Sequence, residues 1–253
     1  MLLAGASLDH LPGPKYLASL RFAEVSLRAP LPRASTLRQK RGQLPADVVL
    51  SLRAPKSAIV SSRGPLRFDA ELEAGLTWLL AARDALQAKL VVLPTPADLT
   101  PGGRSRDLLA AYVDKLPREP ERPFVWAPHG PWEREQAERV ASELGLVLAF
   151  DPLEDDCPPG PIAYARLVAL GARRSFSPAL LEDALEALPP GLPSYAVIES
   201  ERSFPQASLL QKMANGAQAD LEASELDGDD EDAEDDDEDD DEDDAEDDDD
   251  EDA

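Results

Sequence analysis

The sequence predicts a (β/α)8 barrel of the TIM type, somewhat reduced, followed by an acidic C-terminal tail. Short apolar runs alternate with amphipathic stretches eight times along the 253 residues. Strands that are separated by helical crossovers pair in parallel, and eight such units close into a barrel. An open doubly wound sheet is the alternative. The barrel is favoured because the strand count is eight and no glycine-rich phosphate loop follows the first strand.

Eight short apolar runs are the predicted strands, and each has the length of an ordinary strand. In chain order they are residues 1–6, 22–27, 47–52, 89–93, 123–127, 146–151, 162–167 and 193–198.

The stretches between the runs carry apolar side chains at helical spacing. Leu72 and Leu76 share one face of the longest stretch, Ser177 is a suitable N-cap, and Gly216 is a suitable helix stop. The predicted helices are residues 15–20, 35–42, 69–88, 105–116, 132–144, 177–188 and 204–215. Residues 152–160 are predicted as a loop, so no helix follows the sixth strand and the barrel is reduced there.

The formal net charge of −26 belongs entirely to the C-terminal end. Residues 220–253 hold 26 acidic residues and no basic ones, which leaves 25 acidic and 25 basic residues in 1–219. We therefore divide the chain into a barrel, residues 1–219, and a polyacidic tail, residues 220–253. Like charges repel and the tail has few apolar side chains to bury, so we expect it to be disordered.

The bulk composition also restricts the compartment and the partners. A single cysteine excludes an intrachain disulfide and favours a reducing compartment. No apolar run approaches the ~18 residues of a membrane helix, and the N-terminus does not have the pattern of a signal peptide. We therefore expect a cytoplasmic protein without membrane contact. The neutral barrel also has no overall basic footprint for direct nucleic-acid binding.

Functional groups of such a barrel come from the C-terminal ends of its strands. Alternation along the strands aims Glu24, Arg53 and Arg166 into the barrel, while Asp151 ends the sixth strand and His129 follows the fifth. Glu24, Asp151 and His129 are the candidate acid/base groups, and the arginines are candidates for holding an anionic ligand. A structural ion pair between Glu24 and Arg53 is the alternative interpretation.

Three more side chains are candidates for ligand binding. Trp126 lies at the end of the fifth strand, and Arg173 and Arg174 precede the helix N-terminus capped by Ser177. Such an end favours anions, although a solvated basic loop is the favoured explanation of the two arginines. Acidic neighbours make Cys157 a poor nucleophile. The two histidines and the scattered carboxylates have no spacing typical of a metal site, and the sequence identifies no cofactor.

Several segments, in order, resemble motifs of the domain-of-unknown-function 72 (DUF72), or YecE-like, family. Residues 15–26 resemble its "Tyr…Phe…val-Glu-val-Asn" segment, and residues 47–55, DVVLSLRAP, its "Phe-x-Phe-x-x-Lys-ala-Pro" strand. Residues 90–96, LVVLPTP, resemble its "Gln-x-Pro-Pro" strand end, and residues 164–171, YARLVALG, its "tyr-x-Arg-x-his-Gly" region. The resemblance extends over about residues 1–214 and implies a TIM-type barrel without an established activity.

The chain keeps some family positions and changes others. Glu24 and Arg166 match, Arg53 stands for the family's lysine, and Leu170 stands for its histidine. The resemblance therefore implies a degenerate active site. Two functions stay open. The first is an enzyme-like barrel that binds a small polar or anionic ligand at its mouth. The second is a non-catalytic interaction module whose acidic tail contacts basic protein partners or maintains solubility.

Overall fold

The computed structural model describes residues 1–169 and 174–227, with side chains as far as residue 217 of the last helix. The chain divides into one compact unit of Met1–Asn215 and a second unit that begins at Gly216. The predicted tail beyond Asp227 lies outside the described residues. The boundary proposed at residue 219 therefore stays a prediction, and so does the disorder of the tail.

The strands confirm the predicted barrel. They are β1 (Leu2–Leu8), β2 (Phe22–Val25), β3 (Val49–Arg53), β4 (Val60–Ser61), β5 (Gly64–Pro65), β6 (Leu90–Thr95), β7 (Phe124–Pro128), β8 (Val147–Phe150), β9 (Ala163–Val168) and β10 (Ser194–Glu199). In the described part of the chain, eight of them pair in parallel and close in the order β1-β10-β9-β8-β7-β6-β3-β2. Strands β4 and β5 form a separate antiparallel hairpin that is absent from the predicted elements.

Helices connect most of the strands. They are α1 (Pro14–Leu17), α2 (Ala34–Arg41), α3 (Lys56–Ile59), α4 (Ala70–Leu86), α5 (Gly103–Val113), α6 (Arg134–Leu144), α7 (Pro178–Glu186) and α8 (Ser203–Asp227). Ser177 caps α7 as predicted, because its side chain accepts a hydrogen bond from the Leu180 N–H. The described residues between β8 and β9 contain no helix, which also agrees with the prediction.

The predicted end of the last helix is wrong. Helix α8 passes through Gly216 and continues to Asp227. Glycine permits a left-handed helix stop but does not require one. The residues that follow include alanine, leucine and glutamate, which are strong helix formers. Local propensity therefore outweighs the stop signal of one glycine.

The strand side chains alternate between two apolar cores. One core fills the barrel and includes Phe22, Val92, Tyr164 and Val197. The other lies between the strands and the helices, and its strand residues include Ala23, Leu52, Trp126, Leu148 and Leu167. Each strand therefore contributes every second residue to the interior, and its last interior residue reaches the C-terminal mouth.

A membrane crossing requires a helix that is both long and strongly apolar. Within the described ranges, no helix combines that length with that apolar character.

Candidate functional site

Four charged side chains from four strands form one network at the C-terminal mouth. Glu24 lies on β2, Arg53 on β3, Arg166 on β9 and Glu199 at the end of β10. Glu199 Oε2 accepts hydrogen bonds from Arg166 Nη2 at 2.7 Å and from Arg53 Nη1 at 3.1 Å. Glu24 Oε2 accepts from Arg166 Nη1 at 3.1 Å, and Glu24 Oε1 lies 3.8 Å from Arg53 Nη1. This mouth network holds two guanidinium groups and two carboxylates, so its formal charge is zero.

Glu24 forms the floor of the mouth network. Its side chain is 0 % exposed, and a buried carboxylate is tolerated only when it is paired and hydrogen-bonded. The Tyr164 hydroxyl donates to Glu24 Oε2 at 2.8 Å, and the Ser7 hydroxyl donates to Oε1 at 3.3 Å. Because Tyr164 gives its one proton to Glu24, the Ser51 hydroxyl must donate to Tyr164 over their 2.9 Å contact. Both oxygens of Glu24 therefore have partners inside the barrel.

The buried environment fixes the protonation states of two partners. Burial, and then the charge of Glu24, raise the pKa of Tyr164 well above its ordinary value, so its hydroxyl keeps its proton. Burial by itself lowers the pKa of Arg166, but the charges of Glu24 and Glu199 more than offset it and leave that pKa raised. Arg166 thus stays cationic, and Tyr164 stays a hydrogen-bond donor.

Two cavities lie beside the mouth network, one on each side. The larger mouth cavity, about 720 Å³, is lined by Arg53, Lys56 and Glu199 together with the loops that follow β2 and β3. The smaller mouth cavity, about 320 Å³, is lined by His129, Asp151 and Arg166 at the ends of β7, β8 and β9. Both are of the size of small-molecule sites. Each guanidinium of the mouth network therefore borders its own cavity.

His129 is held in one tautomer. Its Nδ1 lies 3.2 Å from the carbonyl oxygens of Thr95 and of Ala127. A carbonyl oxygen can only accept a hydrogen bond, so Nδ1 carries the proton and Nε2 of the neutral ring is an acceptor. Asp151 lines the same cavity, and its Oδ1 accepts from the Leu153 backbone N–H at 3.0 Å.

Trp126 and Arg174 lie away from the mouth network. Trp126 is fully buried in the core between the strands and the helices, because Val125 and Ala127 take the interior positions of β7. Its indole Nε1 donates to Thr95 Oγ1 at 2.9 Å, so Trp126 has a structural place and no access to a ligand at the mouth. Arg174 is exposed, 3.8 Å from Glu201. Arg173 lies outside the described residues.

Glu199 belongs to the mouth network and Tyr164 donates a hydrogen bond to it, but both are absent from the predicted site residues. Tyr164 shares the interior face of β9 with Arg166, so strand alternation already carries the signal that identifies it. The predicted site omits Glu199 because the predicted eighth strand ends at residue 198, one position too early. Extending the alternation of Tyr195 and Val197 by one step places Glu199 at the mouth.

Cys157 has a thiol with a raised pKa. The cause is burial, which the charge of Arg134 partly opposes. The direction agrees with the sequence prediction, but burial raises the pKa here and not the acidic neighbours. In the part of the chain that the structure describes, no group of three or more His, Cys, Asp or Glu side chains is placed to hold a metal ion.

Comparisons with known proteins identify the fold. No protein-family model matches the sequence, and no curated protein does. The barrel is similar to a DUF72 family protein of Thermotoga maritima, with a TM-score of 0.58 and 15% identity over 85% of this chain and 99% of that one. It is similar to one of Enterococcus faecalis, with a TM-score of 0.60 and 12% identity over 85% of this chain and 96% of that one.

The fold is that of the DUF72 proteins. This confirms, at the level of the fold, the resemblance that the sequence motifs show. Endonuclease IV from Thermus thermophilus shares the barrel with a TM-score of 0.51 and 11% identity, over 86% of this chain and 99% of that one. At such identities the likeness to the DUF72 fold is a likeness of architecture. A function has to be argued from the mouth network and its cavities.

Proposed function

We propose that this barrel binds a small anionic ligand at its C-terminal mouth, with Arg53 and Arg166 holding the charged group. One observation supports this proposal most directly. The guanidinium groups of Arg53 and Arg166, from β3 and β9, both donate to Glu199 Oε2, and this atom lies between the two mouth cavities. Arginine is the side chain best suited to carboxylate and phosphate groups, because its donors form a rigid planar fork.

Exposure separates this proposal from a purely structural ion pair. The side chain of Arg53 is 20% exposed, and in the described residues its ion pairs all use Nη1. The other guanidinium nitrogens of Arg53 are therefore available to a ligand in the larger mouth cavity. An ion pair between Glu24 and Arg53 that only closes the barrel does not account for the open cavity beside Arg53.

Glu24 acts in this proposal as a positioning residue. It is fully buried, and its oxygens are occupied by Tyr164, Arg166 and Ser7. Its charge keeps the two arginines in place and keeps Arg166 cationic. If the ligand is also chemically transformed, the group placed for proton transfer is His129, whose Nε2 can accept a proton in the smaller mouth cavity.

A thermal-shift screen of phosphorylated and carboxylated metabolites on the full chain tests the proposal. A ligand at about 100 times its Kd stabilises the fold by about 2.7 kcal/mol. We expect a rise in Tm in the unmodified protein and in Arg174→Ala, a matched control that removes an exposed arginine outside the mouth network. The rise should disappear in Arg53→Ala. The proposal is wrong if no anion raises Tm, or if Arg53→Ala responds like the control.

The composition of the tail supports a second function, that of an interaction module for basic proteins. Its 26 acidic residues in 220–253 carry no compensating cation, and long like-charge segments commonly serve as interaction arms. A chain that ends at residue 219 should lose salt-sensitive binding to polylysine, while the full chain retains it. If both chains bind polylysine equally, the second function is wrong and the role of the tail is solubility.

A further inference from the structure

The charge balance of the mouth network restricts how an anion can enter it. Two cations and two carboxylates already neutralise each other around Arg53 and Arg166. A further anion added beside them would place an unpaired negative charge in a partly buried site, which is costly. An anionic ligand therefore has to take the place of a carboxylate that is already there.

Only one of the two carboxylates can leave. Glu24 is fully buried beneath its hydrogen-bond partners, whereas the Glu199 side chain is 43% exposed at the end of β10. The backbone of Glu199 stays fixed when its side chain turns, because its carbonyl accepts from the Ala169 N–H at 2.9 Å. Rotation toward solvent rehydrates the released carboxylate, so the displacement costs little more than the two hydrogen bonds that the ligand replaces.

We infer that Glu199 Oε2 occupies the anion position of the ligand, and that the ligand is a monocarboxylic acid with an apolar body. Its carboxylate replaces that of Glu199 between Arg53 and Arg166. This inference rests on the proposed function, and it makes Glu199 the residue that sets the affinity and the charge of the ligand.

The class of ligand follows from the charge and from the larger mouth cavity. Exchange of one carboxylate for another keeps the network neutral, whereas a phosphate monoester carries about −1.5 to −2 charge at pH 7 and leaves an excess. The cavity beside Arg53 is lined largely by apolar side chains, among them Leu27, Ala29, Leu31, Ile59, Val60 and Pro94. Its other cations are at the solvent edge, since Lys56 is exposed and Arg28 is paired with Asp9 at 3.4 Å. An apolar body of several carbon atoms fits this volume of about 720 Å³.

Titration calorimetry of the full chain with hexanoate, hexan-1-ol and adipate tests the inference. Glu199→Gln keeps the size of the side chain but removes the competing charge. We expect it to bind hexanoate about tenfold more tightly than the unmodified protein, because a neutral acceptor is displaced more easily than a charged one. Glu201→Gln is the matched control, since Glu201 is exposed and lies 3.8 Å from Arg174, outside the network. It should bind as the unmodified protein does.

Further measurements separate the possible results. Adding Arg53→Ala to Glu199→Gln should abolish the gain in affinity for hexanoate. Hexan-1-ol, which has no charge, should not bind to any of the variants. The inference is wrong if Glu199→Gln binds hexanoate no more tightly than the unmodified protein does, or if adipate is preferred. The proposed function still stands in that case if another anion binds and its binding requires Arg53. Absence of any anion binding overturns both. Circular dichroism checks folding, and Glu199→Asp, which withdraws the carboxylate from the arginines, should show the same gain if Glu199→Gln does not fold.

Discussion

The hydroxyl of Tyr164 donates a 2.8 Å hydrogen bond to the carboxylate of Glu24, and both side chains are fully buried inside the barrel. The bond joins β9 to β2, which are not neighbours in the closed sheet. It thus crosses the interior directly below the two arginines of the mouth. Hydrogen bonds to a buried charge are among the stronger ones in proteins, so this contact should contribute to the stability of the barrel.

Substitution Tyr164→Phe should destabilise the protein by about 2 kcal/mol, because it leaves a buried carboxylate with one donor fewer. Urea unfolding monitored by circular dichroism measures the change. Tyr195→Phe is the matched control, since Tyr195 lies in the same interior core and its hydroxyl shows no hydrogen bond among the described residues. Similar losses of stability in both variants would contradict the role of the Tyr164 hydroxyl.

Arg83 is a second buried cation, and the residues that it contacts lie outside the mouth network. It forms two hydrogen bonds of 3.1 Å with Glu119, a third of 2.9 Å with the Arg122 carbonyl, and lies over the Phe124 ring. Arg83→Met should reduce the free energy of unfolding by about 2 kcal/mol. Glu119 is half-exposed, so water can replace its lost partner, but the hydrogen bond to the Arg122 carbonyl and the contact with the Phe124 ring are lost. Arg83→Met should leave anion binding unchanged. Arg118→Met, at an exposed pair with Asp114, should change stability by less than about 0.5 kcal/mol.

The two arginine variants are compared by chemical denaturation and by calorimetric titration on the same preparations. Loss of anion binding in folded Arg83→Met would show that the mouth network depends on distant packing. A loss of stability in Arg118→Met as large as that in Arg83→Met would show that burial does not determine the cost.

Strand periodicity explains how much of the fold the sequence predicts. Each barrel strand is a short apolar run between breakers, so all eight are predicted to within about two residues, as boundaries commonly are. Helix α3 and the β4–β5 hairpin are missed because elements of four and two residues show little or no period. Helix α1, also of four residues, is predicted only as part of a longer helix over residues 15–20. The barrel order follows from the parallel crossovers, which leave few alternatives.

The same periodicity explains the outcome for the candidate site. Alternation places Glu24, Arg53 and Arg166 in the barrel, and the structure brings these three together. It also places Trp126 on the outer face between Val125 and Ala127, whereas the prediction of Trp126 as a ligand-binding residue rests on its place near the strand end. Which carboxylate bridges the arginines depends on side-chain geometry across the barrel, and no local pattern encodes it.

The N-cap of α4 gives the stability a predictable dependence on pH. The Asp69 side chain accepts hydrogen bonds from the backbone N–H groups of Leu72 and Glu71, at 3.0 Å and 3.1 Å. The Leu72 hydrogen bond is the largest cause that lowers the pKa of Asp69 below its ordinary value of 3.8. A lowered pKa in the folded state contributes stability above the unfolded pKa, and this contribution is lost as the pH falls through the folded pKa.

Asp69→Asn keeps the cap but removes the charge, so it isolates this contribution. The unmodified protein should be more stable than the variant at pH 7, and the difference should shrink as the pH falls below about 4. Urea unfolding of both proteins from pH 7 to pH 2.5 measures it. A difference that is constant with pH, or that grows in acid, would contradict the assignment.

Gly75 lies where helix α4 approaches the backbone of α3. A Cβ atom at this position would stand 2.1 Å from the Ser57 carbonyl oxygen and 2.5 Å from its carbon. Both contacts are with backbone atoms, so no side chain can turn away. Gly75→Ala gains about 1 kcal/mol of helix propensity, but separating the two helices costs more, and we expect a net loss of about 2 kcal/mol. Gly103→Ala is the control, because it also lies in a helix and a Cβ there meets nothing within 4 Å. Thermal unfolding should show a lower Tm for Gly75→Ala only, and an increased Tm in both variants would mean that the two backbones can separate at no cost.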